Sequence, residues 1–420
     1  MTKSIPVSCD TPQKQSPWLD VKEAITRMTQ AVKQTQETET LSIRDALNRV
    51  LAEDIISNIN VPPYANSAMD GYAFNSADLP SNGNNTIPMV GKSFAGIPFE
   101  GEVKPGECIR IMTGAPMAKG TDTVIMQEQV QADGDAITIQ SGHCKNDNVR
   151  HIGEDIKDGD VVLKPGQQLT PAELGVLASL GVASISVYKK IRVAFFSTGD
   201  ELRNVDEALD EGQIYDSNRY TIFGMLTNLG VELIDMGIIP DDRAAVEKAF
   251  IAAAEQADAI MTSGGVSVGE ADYVKETLDK LGKVDFWKIA MKPGKPLAFG
   301  FVNDAVFFGL PGNPVSVMAT FYQFALPTLK TMMGRKITKP TVVKVACKSA
   351  LRKSPGRTDL QRGILQTNEQ GELVVESIGM QASHVLSGMS KANCFIILPQ
   401  DWGNVEAGTL VDVQPFNGLM

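Results

Sequence analysis

The sequence predicts a multi-domain chain: an α/β unit on a doubly wound parallel sheet, an inserted β-rich module and a smaller C-terminal β unit. Three observations predict it. Between 191 and 333, apolar strand-like runs alternate with helical segments, the spacing of a parallel sheet with right-handed crossovers. From about 58 to 149, short β-branched or apolar runs are separated by Pro-Gly, Asp-Gly and Asn-Gly turns, the texture of a β module. The length, 420 residues, exceeds what one core supports, since a domain takes roughly 100 to 200 residues.

Composition narrows the function classes. With 43% hydrophobic and 21% charged residues the chain reads as an ordinary folded protein, not a disordered or collagenous one. Lys plus Arg number 39 against 50 Asp plus Glu, a net charge of −11, which argues against broad electrostatic binding to nucleic acid or anionic lipid. Any anionic ligand must therefore be held by local cations and backbone amides. Cys9, Cys108, Cys144, Cys347 and Cys394 stand far apart with no C-x-x-C pair, so a reducing compartment is expected rather than a disulfide framework. No apolar leader or membrane-length run is present, so a soluble, cytoplasmic protein is expected.

The elements follow in order. Residues 1–19 form a polar tail. Ile25, Met28 and Val32 recur at helical spacing behind Asp20, an N-cap, which predicts a helix over 20–33. A second short helix is expected at 44–50. The β module of 58–149 includes strands at Thr123–Met126 and Ala136–Ile139. In 150–188 a helix should run from Pro171 to Leu180 and stop at Gly181. Segments 20–57 and 150–188 read as one host domain split by the insert. In the α/β unit, 189–335, strands are expected at Ile191–Phe196, Val231–Ile239, Ala259–Thr262, 297–301 and 305–310. Its helices fall at 217–229, 241–256, 271–281 and from 314. Asp216 or Ser217, and Asp241 or Asp242, can cap two of these helices, and Gly230 can stop the first. From 336 to 420 alternating residues such as Val343, Val345 and Phe395–Leu398 predict the C-terminal β unit.

Ligands of α/β sheets gather beyond the carboxyl ends of the strands, so the loops 197–201, 262–272 and 309–314 should share one rim. The central loop offers the hydroxyls of Thr262 and Ser263 and the glycines Gly264, Gly265 and Gly269 ahead of a helix, which suits a phosphate cradle or, more simply, a flexible turn. It is no Walker A loop, because Glu270 and Ala271 stand where Lys and Ser or Thr belong. Residues 265–269 also spell G-x-S-x-G with Ser267 as a conceivable nucleophile, but His384 is the only downstream histidine. Glu201, Asp241, Asp242 and Asp272 lie at strand ends and suit Mg²⁺, which takes one or two carboxylates plus phosphate oxygens; capping is the alternative for Asp241 and Asp242. Three histidines and dispersed cysteines make a zinc site improbable. Lys288, Lys292 and Lys295 form a cationic strip whose prolines and glycine suggest a shaped loop, against the plainer reading of a solvated charge run. Asn313 as N-cap with Pro314 at the first helical position accounts for one helix start, and Asp70-Gly71 reads as a hairpin turn.

Eight motifs, taken together, carry a resemblance. They are Ser67-Ala68-Met69-Asp70-Gly71-Tyr72-Ala73, Met112-Thr113-Gly114-Ala115-Pro116, Gly153-Glu154-Asp155, Ser197-Thr198-Gly199-Asp200-Glu201, Asp216-Ser217-Asn218, Thr262-Ser263-Gly264-Gly265-Val266-Ser267-Val268-Gly269, Lys292-Pro293-Gly294-Lys295-Pro296 and Leu310-Pro311-Gly312-Asn313-Pro314. In this order the sequence resembles the molybdopterin molybdenumtransferase family, the MoeA and gephyrin E-domain enzymes, over nearly all of its length beyond Pro17.

The resemblance implies that adenylylated molybdopterin and molybdate give molybdenum cofactor and AMP, with Mg²⁺ assisting. It implies that Glu201, Asp241 and Asp272 are metal and phosphate-end carboxylates and that Lys288 and Lys292 are anion ligands. Asp70, Thr113 and Asp155 become functional positions of the β module, Pro311 and Pro314 the pocket wall, and Arg362 and Ser383 functional positions of the C-terminal unit. It further implies an elongated homodimer in which Asp70 serves the other subunit, with transient contacts to the adenylyltransferase and to molybdoenzyme chaperones. Rival readings are an adenylyltransferase, a partner-binding scaffold and the Ser267 hydrolase.

Overall fold

The computed structural model describes residues 18–264 and 273–416. Two compact units result, one from the segments up to Glu39 and from Tyr188 onward, the other from Thr40–Val187. Helix α1 (Val21–Ala31) opens the first unit. Asp20 caps it as expected, accepting from the backbone N–H of Lys22 and Glu23. Its buried Ala24 and Met28 share a core with Leu329 and Phe324, so α1 packs with the α/β segment and not with 150–188, where the sequence grouped it.

In the unit of Thr40–Val187 the helix expected at 44–50 is a single 3₁₀ turn, Ile43–Asp45. Asn48 adopts φ +63°, which ends helical winding, and the N–H groups of Leu51 and Ala52 donate to Gln167 and Ser186 instead. Helix α2 (Pro171–Ser179) forms with a Thr170–Glu173 capping box. Strands β1 (Gly71–Phe74), β2 (Asn84–Ser93), β3 (Cys108–Ile111), β4 (Thr123–Met126), β5 (Val130–Asp133) and β6 (Ala136–Gln140) make one sheet in the order β4-β1-β3-β2-β6-β5.

The α/β sheet of the first unit consists of β7 (Arg192–Thr198), β8 (Glu232–Ile239), β9 (Ala259–Ser263), β10 (Gly282–Lys288), β11 (Pro296–Val302) and β12 (Ala305–Leu310). Their order is β8-β7-β9-β12-β11-β10. The first four are parallel, but β11 is reversed, pairing antiparallel with both β12 and β10, so that β10 again runs with the first four; this corrects the all-parallel expectation. Two residues separate β11 from β12, and Asn303 takes φ +52° there, so only a hairpin can close that link. Helices cover both faces. On one lie α3 (Ser217–Leu229) and, later in the chain, α6 (Pro314–Thr320), a π-helical turn (Phe321–Ala325) and α7 (Leu326–Met332); on the other lie α4 (Arg243–Gln256) and α5 (Tyr273–Leu281). Phe250 of α4 locks onto Phe196 and Phe307 edge-to-face, at 5.2 and 5.5 Å.

The C-terminal strands β13 (Val343–Cys347), β14 (Thr358–Thr367), β15 (Leu373–Ser377), β16 (Cys394–Leu398) and β17 (Leu410–Pro415) close into a barrel, because β16 pairs with both β17 and β14. Closure removes free sheet edges. Met291–Lys292 add alongside β14, pairing with Thr358 and Asp359, so the lysine strip is built into this barrel.

Candidate active site

The α/β rim comes first from register. Ser197 lies opposite Ser263 and Ser263 opposite Leu310, so β7, β9 and β12 end at one level, as expected of a shared rim. Gly264 takes φ +90° and its N–H donates to the Leu310 carbonyl at 3.2 Å; a Cβ there would stand 3.0 Å from the Thr198 carbonyl oxygen. Only glycine fits without a shift. Gly265, Ser267 and Asp272 lie outside the described residues.

Helix α3 ties this rim together. The Asn218 amide donates to Ser263 Oγ at 2.8 Å and to the Gly312 carbonyl at 2.7 Å. Asp216, not Ser217, caps α3, its Oδ1 accepting from the Arg219 N–H at 3.0 Å. Three side-chain atoms here, Asp216 Oδ2, Asn218 Oδ1 and Thr262 Oγ1, are buried with no hydrogen-bond partner among the described residues. A buried polar atom left unpaired costs about 1–3 kcal/mol, so Asp216 and Asn218, both at the start of α3, suit a polar ligand, while Thr262 alternates with Ser263 and faces the other side of the sheet.

The carboxylates at the ends of β7 and β8 separate into two roles. Asp242 caps α4, accepting from the N–H of Ala244 and Ala245 at 3.0 and 2.9 Å, which leaves Asp241 free of that duty. The Asp241 N–H donates to Asp200 Oδ1 at 3.2 Å. Desolvation, then the charges of Asp200 and Glu201, push the Asp241 carboxyl above its ordinary value. Glu201 folds over Gly199, where a Cβ would meet its Oε2 at 2.5 Å. No three metal-ligating side chains group tightly among the described residues. Crowded carboxylate oxygens that repel one another nevertheless suit Mg²⁺, which needs only one or two of them and keeps most of its waters.

The lysine strip is a shaped hairpin loop. Lys288 ends β10, and the Ile289 N–H donates to the Lys295 carbonyl at 2.8 Å to close the loop. Gly294 takes φ +99°, and a Cβ there would meet Met291 Cε and Thr320 Cγ2 at 2.7 Å. All three lysines are exposed. Lys292 Nζ lies 3.6 Å from the buried Asp359.

Pro311 precedes and Pro314 starts α6. Asn313 occupies the cap position but makes no side-chain cap bond; the Val315 N–H donates instead to the Ser383 carbonyl at 3.1 Å. Ser383 is thereby brought from the barrel to the rim loop. Arg362 is fully buried, donating from Nη1 to the Ala382 carbonyl at 3.2 Å and from Nη2 to the Met380 carbonyl at 2.8 Å. It braces the turn that presents Ser383. Burial pushes the Arg362 guanidinium below its ordinary range.

Within the other unit, Asp70 Oδ1 accepts from the Thr113 backbone N–H at 2.7 Å and its hydroxyl at 2.8 Å. The backbone bond first, then the hydroxyl, hold the Asp70 carboxyl below its ordinary value. Asp155 sits exposed in a turn where Gly153 takes φ +65°.

Comparison with known proteins decides the family. Over 404 residues the chain is 50% identical to a molybdopterin molybdenumtransferase of Haemophilus influenzae, covering 96% of this chain and 100% of the relative. The chain belongs to the molybdopterin molybdenumtransferase family. A Staphylococcus aureus molybdopterin molybdenumtransferase is 34% identical, with 96% of each chain covered. Residues 19–181 match the MoeA N-terminal region (domain I and II), 194–331 the probable molybdopterin binding domain, and 344–416 the MoeA C-terminal region (domain IV). The crystal structure of a molybdopterin biosynthesis moeA protein from Pyrococcus horikoshii OT3 superposes with a TM-score of 0.81 at 27% identity, covering 95% of this chain and all of that one.

The enzyme is thus a transferase of molybdenum cofactor biosynthesis. Its rim lies within the segment matching the molybdopterin-binding family. Sequence reasoning singled out Thr262, Ser263 and Gly264 there but gave Asp216 only a capping role and Asn218 none beyond its place in a family motif. The signal was present, since a capping aspartate followed two positions later by an amide places both at one helix start, yet capping alone accounts for such a pattern.

Proposed function

We propose that the enzyme transfers molybdenum from molybdate to adenylylated molybdopterin and releases AMP. The observation that carries this reading is the pair of unpartnered buried atoms Asp216 Oδ2 and Asn218 Oδ1 at the start of α3, beside the ends of β9 and β12. A polar, hydrogen-bonding ligand satisfies them, and the pterin and its phosphates supply such groups. In the reaction the two thiols of the pterin displace one oxygen of molybdate as water, and a water adds across the phosphoanhydride link, so that AMP departs with one phosphate and the pterin keeps the other. The Thr262–Gly264 turn receives phosphate oxygens, and the same reading gives Gly265 and Ser267, next in the sequence, a substrate-binding role. Lys288, Lys292 and Lys295 offset the anionic charge, and Pro311 and Pro314 stiffen the facing wall. Glu201 and Asp241, with Asp272, would hold Mg²⁺, which when bound neutralises charge on the phosphates. Asp70, kept ionised by Thr113, together with Asp155, Arg362 and Ser383, completes the set of functional positions.

The same reading makes the enzyme a cytoplasmic homodimer that receives the adenylate from the adenylyltransferase and passes cofactor to molybdoenzyme chaperones. No helix among the described residues is long and apolar enough to cross a membrane. The test incubates purified enzyme with adenylylated molybdopterin, Mg²⁺ and molybdate and measures AMP by chromatography. Release should depend on molybdate and fall about ten-fold or more in Lys292→Ala, a loss of roughly 1.4 kcal/mol of transition-state stabilisation. AMP release that ignores molybdate, or a fully active Lys292→Ala enzyme, would refute the proposal.

A further inference from the structure

Trp18 carries two cations on one indole ring. Lys295 Nζ lies 5.1 Å and Arg357 Cζ 5.6 Å from the ring centroid. The backbone beside Trp18 is fixed to the lysine loop. The Leu19 N–H donates to the Lys288 carbonyl at 2.9 Å, the Ala290 N–H donates to the Leu19 carbonyl at 2.9 Å, and Leu19 bridges to Ile289. The indole is therefore placed by main-chain pairing, and the two cations are gathered by the ring.

Their surroundings hold more positive than negative charge. Lys292 reaches Asp359, whose Oδ2 also accepts from Gln361 Nε2 at 3.2 Å, so that carboxylate is already engaged. Lys353 is buried and donates to the carbonyls of Ser354, Gln400 and Trp402. Burial first holds Lys353 below its ordinary value; Asp359 and Asp401 oppose this, and Lys292 and Arg357 add to it. Arg357 is thus close enough to be felt by the same cluster. Among the described residues neither Lys295 nor Arg357 has a carboxylate within ion-pair distance. Each cation–π contact is favourable, while the two like charges repel. An anion shared between them removes that repulsion.

We propose that Trp18 is a positioning residue that holds Arg357 beside Lys295, and that Arg357 is a further anion-binding group of the lysine loop, taking a tetrahedral oxyanion such as molybdate. This rests on the reading of that loop as anion-binding. The Arg357 guanidinium, within cation–π distance of the ring, carries a planar N–H fork that can grip two oxygens at once, while Lys295 adds a point charge.

Titration of the full chain with sodium molybdate, and separately with AMP, followed by heat and by tryptophan fluorescence, tests the proposal. Arg357→Ala should weaken molybdate binding about ten-fold, equivalent to about 1.4 kcal/mol, with Arg357→Lys recovering part of it. Trp18→Ala should weaken it by a smaller factor and Trp18→Phe, which keeps an aromatic face, should restore it. Trp18→Phe should also abolish most of the fluorescence response without changing the heat, and AMP binding should be unaltered throughout. Wild-type molybdate affinity in both Arg357→Ala and Trp18→Ala overturns the inference. If Lys295→Ala alone loses affinity, the loop keeps its role and only the Arg357 and Trp18 assignment falls; if Lys295→Ala is also unaffected, both readings fall. Loss of AMP affinity in place of molybdate affinity overturns the oxyanion assignment in favour of the nucleotide phosphate.

Discussion

The Asn218 side chain donates to Ser263 Oγ at 2.8 Å, and through the same nitrogen it reaches the Gly312 carbonyl at 2.7 Å. One amide at the start of α3 therefore fixes the spacing between the loop after β9 and the loop after β12. The other amide atom, Oδ1, is buried and has no hydrogen-bond partner among the described residues. Rim loops joined in this way are preorganised, which is where electrostatic stabilisation gains most.

Replacing Asn218 should separate structure from function. Asn218→Ala removes two hydrogen bonds, each worth about 0.5–1.5 kcal/mol net, so urea unfolding should show a loss of about 1–3 kcal/mol. Asn218→Asp keeps the shape but cannot donate, and it places an anion where phosphate is expected. It should therefore lower AMP release more than Asn218→Ala does, and the reverse ranking would argue against a phosphate neighbour.

Asp241 links pH, metal and stability. Its folded pKa is raised, so the folded state binds the proton more tightly than the unfolded state does. That favours folding while pH lies below the folded value and turns into a penalty of ionised, mutually repelling carboxylates once pH rises through it. At neutral pH in EDTA, Asp241→Asn should melt higher than wild type. Added Mg²⁺ should raise the melting temperature of wild type and leave Asp241→Asn nearly unmoved, a contrast that differential scanning calorimetry reads directly.

Asp70 titrates the other way. Its folded pKa is depressed by Thr113, so its contribution is complete above the unfolded carboxylate value, about 3.9, and disappears as pH falls through the lower folded value. Thr113→Val deletes the hydroxyl but keeps the backbone N–H, the larger cause. The Asp70 pKa, followed by carboxyl carbon NMR, should rise only part of the way; full return to the ordinary value would mean the hydroxyl dominates.

How much of this was legible beforehand depends on the range of the forces. Helix ends were legible where the chain caps itself: Asp20, Asp216, Asp242 and the left-handed Gly230 lie within a few residues of the groups they satisfy. The common rim followed from strand–helix alternation, since adjacent parallel strands must end on one side. The short helix expected at 44–50 failed because backbone donors there found partners more than a hundred residues away.

By itself the sequence determined the family, the layered α/β unit, the β modules and the loops that carry polar groups, because turn chemistry, capping and apolar period are local properties. Tertiary structure alone decided that β11 runs antiparallel to β10 and β12, that the lysine loop is stitched to the C-terminal barrel, and that Arg362 is a buried brace. It alone also set Lys295 and Arg357 within cation–π distance of one ring, Trp18. These follow from pairings between segments distant in the chain, where the energy of burial and of satisfying backbone groups outweighs anything a neighbouring residue signals.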